Sequence, residues 1–445
     1  MSMPASSNNP QPTQGENRHP YFESLSIENI RTFDKNQTIH FTDKEGNPQL
    51  WNLIIGDNGT GKTTILRALA AFMTGFGSYR RNNSGDLSIK QDYFKRNNQS
   101  PKLSIELGYL NSPKLHVFFE CSFEGSAVIT QLAQSSTGYS QFWKEPGIDL
   151  LPKIAAYGGG RKIGKDGFTS EKAHPMANLF DESKTLSNAE DWLLQTDYLD
   201  QRRGENRIEL ITGILLQLFK HEISDIEIRE EDEDISHGSI RVHFKTAYGW
   251  VKMHDLSLGY KTLIAWVVDF ARQMFEFYPN STNPLKEPAI CLVDEVDLHL
   301  HPKFQRSMVS FLSDTFPATQ FIVTAHSPLI VQSFADANII LLKREADHVV
   351  VDESTESIRS YRVDQILTSD LFGLKSTRPE KAEALMKKRR RILSKAELNE
   401  SDRIEIKQIE KDLDHIPMGE TPYERKAETL TQKLAKILEA ENDQD

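Results

Sequence analysis

The residues best suited to chemistry in this 445-residue chain start with Lys62 and Thr63, which close the run IIGDNGTGKTT at residues 54–64. The run fits G-x-x-x-x-G-K-[ST] through Gly56, Gly61, Lys62 and Thr63. Such a loop wraps a polyphosphate with consecutive backbone N–H groups, neutralises it with the lysine, and offers the hydroxyl to Mg²⁺. Gly56, Asn58, Gly59, Gly61, Lys62, Thr63 and Thr64 are therefore the expected contacts to a nucleotide's phosphates, with Thr63 also a metal ligand.

Two carboxylates follow downstream. In PAICLVDEVDLHLHP, residues 288–302, a short apolar run ends in Asp294-Glu295. Triphosphate hydrolysis asks a protein for positioning and charge stabilisation, so one carboxylate on the metal and a second on the attacking water make the needed pair. Asp294 is assigned to Mg²⁺ through its water shell, and Glu295 to the general base. QFIVTAHSPLI, residues 320–330, is another apolar run, and its Thr-Ala-His-Ser turn puts His326 in reach of a γ-phosphate. Between the loop and the acidic run, DLSLGYKTLIAWVVDFARQMF (residues 255–275) sets Ser257 and Gly259 at a helix start. That geometry suits an anion, although a plain serine-capped helix accounts for the same residues.

Rigid elements must stand behind these groups. Leu53-Ile54-Ile55 predicts a strand feeding the loop, and ILRALAAFM (65–73) predicts a helix whose N-terminus faces the phosphates. The branched apolar run 289–293 has the character of a strand buried on both faces of a parallel sheet. FESLSIENIRTFDKNQTIHF predicts a pair of strands at the entry, and KLSIELGYL, HVFFECSF and KIAAY predict more, separated by turn residues. The stretch 166–222 turns helical, and two strand-like runs then lead into the 255–275 helix. AAYGGGRKIGKDG, residues 155–167, reads as a solvated basic turn in preference to a contact made by Arg161 to nucleotide or partner.

Lys and Arg total 53 against 64 Asp and Glu, a net charge of −11, which argues against a globally basic nucleic-acid binder but leaves room for a local groove. Cys121 and Cys291 are too few for a disulfide framework and read as buried thiols of a reducing cytoplasm. The polar opening residues lack a secretory h-region. The best apolar run, LIAWVVDF, is broken by Asp269, so no membrane association is expected.

The order GxxxxGKT, LSxGxK, apolar-DE, apolar-THS resembles the ABC-type ATPases, in the branch of RecF, the structural-maintenance-of-chromosomes proteins and the overcoming-lysogenization-defect nucleases. The resemblance implies an α/β P-loop head with a mixed or parallel sheet core, a β-rich N-terminal lobe and a helical insertion (166–222), spanning 21–375. It further implies that LSLGY is the signature motif, with Leu258 where many relatives carry glycine, and that the His326 turn is the switch loop. Asp297 falls in the segment that meets the opposite subunit. The competent unit is then a head-to-tail homodimer, each site completed by Ser257 and Gly259 of the other copy. A glutamine loop is implied as well; Gln91 and Gln99 compete for it, with Gln91 preferred as the metal ligand.

Residues 1–20 form a Pro/Asn/Ser/Gln-rich tail expected to be disordered. Residues 376–445 form a charged helical docking region, with capping-box patterns at Ser394–Glu397 and Thr421–Glu424 and an apolar seam at Tyr423, Ala427, Leu430, Leu434 and Ile437. The seam fits either a helix packed on its own head or a dock for another subunit. No toprim, HNH or C-x-x-C pattern follows the His326 loop. A compact head, the VDQILTSDLFGL segment and a charged tail resemble the PtuA family, ATPase components of Septu-type and retron-associated antiphage systems. Those ATPases work with a separately encoded HNH nuclease of the PtuB kind, so such a nuclease is the implied partner, with DNA a further one. The competing reading is a RecF-like ATP-gated clamp on DNA; a transporter ATPase fits poorly because the head is enlarged.

Overall fold

Apolar runs that can be covered on both sides form the central strands, and runs covered on one side form the flanking sheets. In chain order the strands are β1 (Pro20–Glu28), β2 (Gln37–His40), β3 (Trp51–Gly56), β4 (Lys102–Tyr109), β5 (Val117–Glu124), β6 (Ala127–Ser135) and β7 (Ile154–Tyr157). Then come β8 (Ile223–Glu230), β9 (Ile240–Thr246), β10 (Gly249–Lys252), β11 (Ala289–Val293), β12 (Thr319–Thr324), β13 (Asn338–Glu345) and β14 (His348–Asp352). The helices are α1 (Lys62–Thr74), α2 (Ala177–Phe180), α3 (Ala189–Arg203), α4 (Arg207–Leu218), α5 (Leu258–Phe277), α6 (Pro302–Thr315), α7 (Pro328–Ser333), α8 (Val363–Thr368), α9 (Glu380–Leu393) and α10 (Glu400–Leu413). This computed structural model describes residues 19–74, 93–96, 100–109, 116–124, 127–135, 151–162, 164, 174–230, 240–334, 337–353, 361–395 and 399–413. The chain divides into two compact units, 1–366 and 367–445.

The core of the first unit is a mixed six-stranded sheet in the order β14-β13-β3-β12-β11-β7. β7, β11, β12, β3 and β13 run parallel, and β14 returns antiparallel at one edge. Every residue of β7, β11 and β12 is buried, as a parallel sheet covered on both faces requires. This is the α/β class that the loop and the branched runs imply.

A five-stranded antiparallel sheet, β2-β1-β4-β5-β6, forms the β-rich lobe. Helix α1 lies between the two sheets, which is why it is apolar nearly all round: Leu66, Ala68, Leu69, Ala70, Phe72 and Met73 are all buried. Phe72 packs edge-on against Phe22 at 6.1 Å and Phe119 at 5.2 Å. Gln320 of β12 ties the lobe to the core, accepting from the Phe22 N–H (2.9 Å) and donating to the Phe22 carbonyl (3.0 Å).

Helices α2, α3 and α4 fall within residues 174–222, with α3 capped by Asn188, whose side chain accepts from the N–H groups of Glu190 and Asp191. Gly204, at φ +67°, ends α3 in the left-handed conformation that glycine adopts without strain. A three-stranded sheet, β10-β9-β8, leads into α5.

In the second unit the expected cap at Ser394 is corrected. Ser394 closes α9, its N–H bonding to the Arg390 carbonyl. Asn399 and Asp402 make the reciprocal capping box of α10 instead, at 2.7 and 3.3 Å. Of the basic run 387–391, Lys388 pairs with Glu405, and Arg389 with Glu410 at 2.8 Å. Gln91, Gln99, the acidic residues 231–234 and the seam at 423–437 lie outside the described residues. Among the described residues no helix is long and apolar enough to cross a membrane.

Candidate nucleotide site

β3, β12 and β11 are neighbours in the sheet, and each ends in a polar turn. Parallel strands present their carboxyl ends on one edge, where ligands of open α/β sheets bind. The loop after β3, Asp294-Glu295 after β11 and His326 after β12 are thereby brought to one place. They line a single open cleft of about 350 Å³, with Asn58, Gly59, Gly61, Lys62, Thr63, Thr64, Asp294, Glu295 and His326 on its walls.

The loop glycines have steric reasons. Gly61 sits at φ +99°, and a Cβ there would come within 2.6 Å of Thr32 Oγ1 and 2.8 Å of the Phe33 ring. A Cβ on Gly56 would lie 2.8 Å from the Leu342 carbonyl. The Lys62 ammonium folds back on the loop, donating to the carbonyls of Gly56 (2.7 Å) and Asp57 (3.0 Å). Burial lowers its pKa, while the charges of Asp294, Glu295, Asp57 and Asp297 oppose that shift.

Asp294 is held from both sides. Thr63 donates to Oδ2 at 2.6 Å and Thr324 to Oδ1 at 2.6 Å. The Thr324 hydroxyl also accepts from the Glu295 N–H at 2.7 Å. Glu295 takes φ +49°, a left-handed conformation uncommon for a side chain of its size. Strain of this kind persists where the surroundings over-determine the backbone, and it concentrates at functional sites. The Thr63 hydroxyl and Asp294 carboxylate are adjacent hard oxygen donors lining the cleft, a donor set that fits Mg²⁺.

Ser257 and Gly259 are not among the residues lining this cleft. Ser257 stands at the N-cap of α5, yet its hydroxyl makes no capping bond, so the plain serine-cap account does not hold. Gly259 has a packing reason: a Cβ there would meet the His299 carbonyl at 2.5 Å. Leu258 is 59% exposed. Within this one copy the Asp297 carboxylate accepts from the His326 N–H, at 3.1 and 3.3 Å, joining the turns after β11 and β12.

Several residues of the cleft were not legible in the sequence. Arg31, Thr32, Arg67 and Tyr93 line the same cleft. Arg31 Nε donates to the Tyr93 carbonyl at 2.8 Å, and the Arg67 guanidinium lies 5.0 Å from the Tyr93 ring. The cleft is thus bipolar, with Arg31, Lys62 and Arg67 cationic and Asp294 and Glu295 anionic. Arg161 corrects the expectation of a solvated turn: it is 4% exposed. Its guanidinium donates to the carbonyls of Asp294 (2.6 Å) and Glu295 (2.8 Å). The only sequence signal was the Tyr-Gly-Gly-Gly-Arg wording, which does not reveal what covers it.

Residues 24–241 match the family model described as AAA domain, and a second AAA domain model matches residues 165–332. The chain is 28% identical over 420 residues to the Septu protein PtuA of Bacillus mycoides (strain KBAB4), a match covering 93% of this chain and 52% of that protein. It therefore spans about half the length of that relative. It is 26% identical over 390 residues to the Retron Vc95 probable ATPase of Vibrio cholerae, covering 72% of this chain and 73% of that one. A segment of 89 residues, 20% of this chain and 16% of the relative, is 48% identical to the Retron Ec83 probable ATPase of Escherichia coli. Among solved structures, the SMC head domain from Thermotoga maritima superposes at TM-score 0.42 with 16% identity, covering 75% of this chain and 99% of that one. With four motifs in order and a phosphate loop facing an acidic strand, the chain carries the arrangement of a P-loop nucleotide site and is similar to the Septu PtuA and retron ATPases.

Proposed function

We propose that this cleft binds ATP with Mg²⁺ and hydrolyses it in a head-to-tail pair of copies, and that the cycle controls a separately encoded nuclease in antiphage defence. The observation that carries the catalytic part is the meeting of Lys62, Thr63, Asp294, Glu295 and His326 in one cleft. The loop N–H groups and Lys62 hold the phosphates, with Arg31 and Arg67 adding positive charge from the lobe side. Bound Mg²⁺ supplies charge neutralisation at the phosphate oxygens; Thr63 and Asp294 would hold it. Glu295 takes the proton of the attacking water, and His326 orients the γ-phosphate. Ser257 and Gly259, set outside the cleft of their own copy, serve the partner's nucleotide.

The defence role is supported by the likeness to Septu and retron proteins. The test has two stages. Glu295→Gln should bind ATP with little turnover and favour the dimer in a mass measurement with ATP; wild-type hydrolysis by that variant would remove Glu295 as the base. The protein is then co-purified with the product of the neighbouring reading frame, and cells carrying both genes are challenged with phage. Protection that disappears with Lys62→Ala supports control of a nuclease. Unchanged phage sensitivity, with ATP-dependent DNA binding by the protein alone, would favour the repair-clamp reading.

A further inference from the structure

We propose that Arg161 is a positioning residue for hydrolysis, setting the backbone of Glu295 from behind the cleft and linking it to helix α5. The inference rests on the reading of Glu295 as the base. Arg161 does not line the cleft. Its two terminal nitrogens reach two consecutive carbonyls, Nη1 to Asp294 at 2.6 Å and Nη2 to Glu295 at 2.8 Å. A planar guanidinium holds two such acceptors in a preset geometry, whereas a lysine ammonium is a point charge on a flexible stem and fixes them less rigidly.

The peptide so gripped is the strained one, with Glu295 at φ +49°. From the other side Thr324 accepts from the Glu295 N–H at 2.7 Å. The residue is therefore bonded at both its N–H and its carbonyl, leaving the carboxylate as the free end. The glycines before Arg161 allow the close approach: a Cβ on Gly159 would stand 3.1 Å from Glu295 Oε2, and one on Gly158 would lie 2.7 Å from the Asn178 carbonyl.

The same loop is tied to α5. The Arg161 guanidinium lies 5.8 Å from the ring of Trp266, a residue of α5 that is 2% exposed. Tyr157, at the start of the loop, donates to Asp269 Oδ2 of α5 at 3.0 Å and receives a bond from Gln273 at 3.0 Å. Its carbonyl in turn accepts from the Asp294 N–H at 2.8 Å. A displacement of α5, whose N-terminus carries Ser257 and Gly259, thus reaches the Glu295 backbone through one layer of buried contacts. A buried guanidinium is costly to keep. Apolar packing would hold the loop at less cost, but it would leave these two carbonyls without the bonds that fix them.

The test uses the full chain with saturating ATP and Mg²⁺. Arg161→Met should lower kcat by up to about 100-fold, the cost of a small misplacement of a reacting group, with the Kd for ATP within about twofold of wild type. Arg161→Lys should recover part of the loss. In the Glu295→Gln background, Arg161→Met should change the residual rate no further, because both variants act on one unit. Trp266→Leu should lower kcat with Kd unchanged. Wild-type kcat in Arg161→Met, a parallel loss of ATP affinity, or full additivity with Glu295→Gln would overturn the positioning role; wild-type kcat in Trp266→Leu would overturn the link to α5. If Arg161→Met loses its cooperative thermal transition, Arg161→Lys carries the test, and unchanged kcat there refutes the proposal. Wild-type turnover by Glu295→Gln alone would instead remove the choice of base on which the inference rests.

Discussion

Replacing Thr324 by valine removes one hydroxyl from behind the cleft and almost no volume. That hydroxyl donates to Asp294 Oδ1 at 2.6 Å and accepts from the Glu295 N–H at 2.7 Å, and Thr324 is fully buried. Loss of a hydrogen bond to a charged group costs about 1.5–3 kcal/mol, and a buried N–H left without a partner costs about 1–3 kcal/mol. Asp294 keeps its bond from Thr63 at 2.6 Å, so the lower half of the combined range applies, roughly 3 kcal/mol. For a unit the size of residues 1–366, an unfolding entropy of about 2.1 cal/mol/K per residue turns this into a Tm drop of about 4 °C. The functional cost is separate. Glu295 is the strained residue, and without the Thr324 acceptor its carboxylate loses its set position, lowering kcat by about 10- to 100-fold. The phosphate loop is untouched, so nucleotide affinity should hold. Thr324→Ser keeps the hydroxyl and should retain most of kcat. Steady-state ATP hydrolysis, a nucleotide-binding titration and a thermal melt on the three proteins decide it. A valine variant that melts lower yet turns over at the wild-type rate would refute the claim that this hydroxyl places the base.

Three further outcomes are expected. Lys62→Ala should abolish the stabilisation by ATP, which at 100 times Kd amounts to about 2.7 kcal/mol in the wild type; a melt with and without ATP and Mg²⁺ reads it directly. Gly259→Ala should reduce turnover, because a Cβ there meets the His299 carbonyl at 2.5 Å and shifts the turn after β11; the check is kcat against thermal stability, and an unchanged kcat counts against the packing argument. His174 is lowered to about 4 by burial. The unfolded chain therefore takes up a proton there as pH falls below 6.5 while the folded chain does not. Its contribution is complete above that value and is lost on descending towards about 4, by at most roughly 3 kcal/mol. His174→Gln should flatten this limb in melts taken from pH 7 to 4, and an unchanged acid limb would contradict the shift.

Much of the site was legible because its chemistry is written in contiguous residues. The phosphate loop needs eight neighbouring positions, and a loop that must wrap an anion with its own backbone has to be local. Asp294 and Glu295 are recognisable because the run before them is apolar enough to be a strand covered on both faces. The parallel sheet, the β-rich lobe and the insertion helices follow from such runs and from the turn residues between them.

What only the tertiary structure decided depends on residues far apart in the chain. Arg161 reads as a solvated basic turn in sequence, and becomes a buried fork only because carbonyls 133 and 134 positions away arrive over it. Arg31, Arg67 and Tyr93 join the cleft because α1 is packed between the lobe sheet and the core sheet. Ser394 looked like a helix start because its local pattern fits a cap, yet Asn399 caps α10. The sequence by itself determined which chemistry is present, since loop, carboxylates and histidine are set by local covalent order. The strand order β3-β12-β11 decided that they meet, because neighbouring parallel strands deliver their carboxyl ends to one edge, and burial decided which charges are held still, because the cost of desolvation depends on what packs above a side chain.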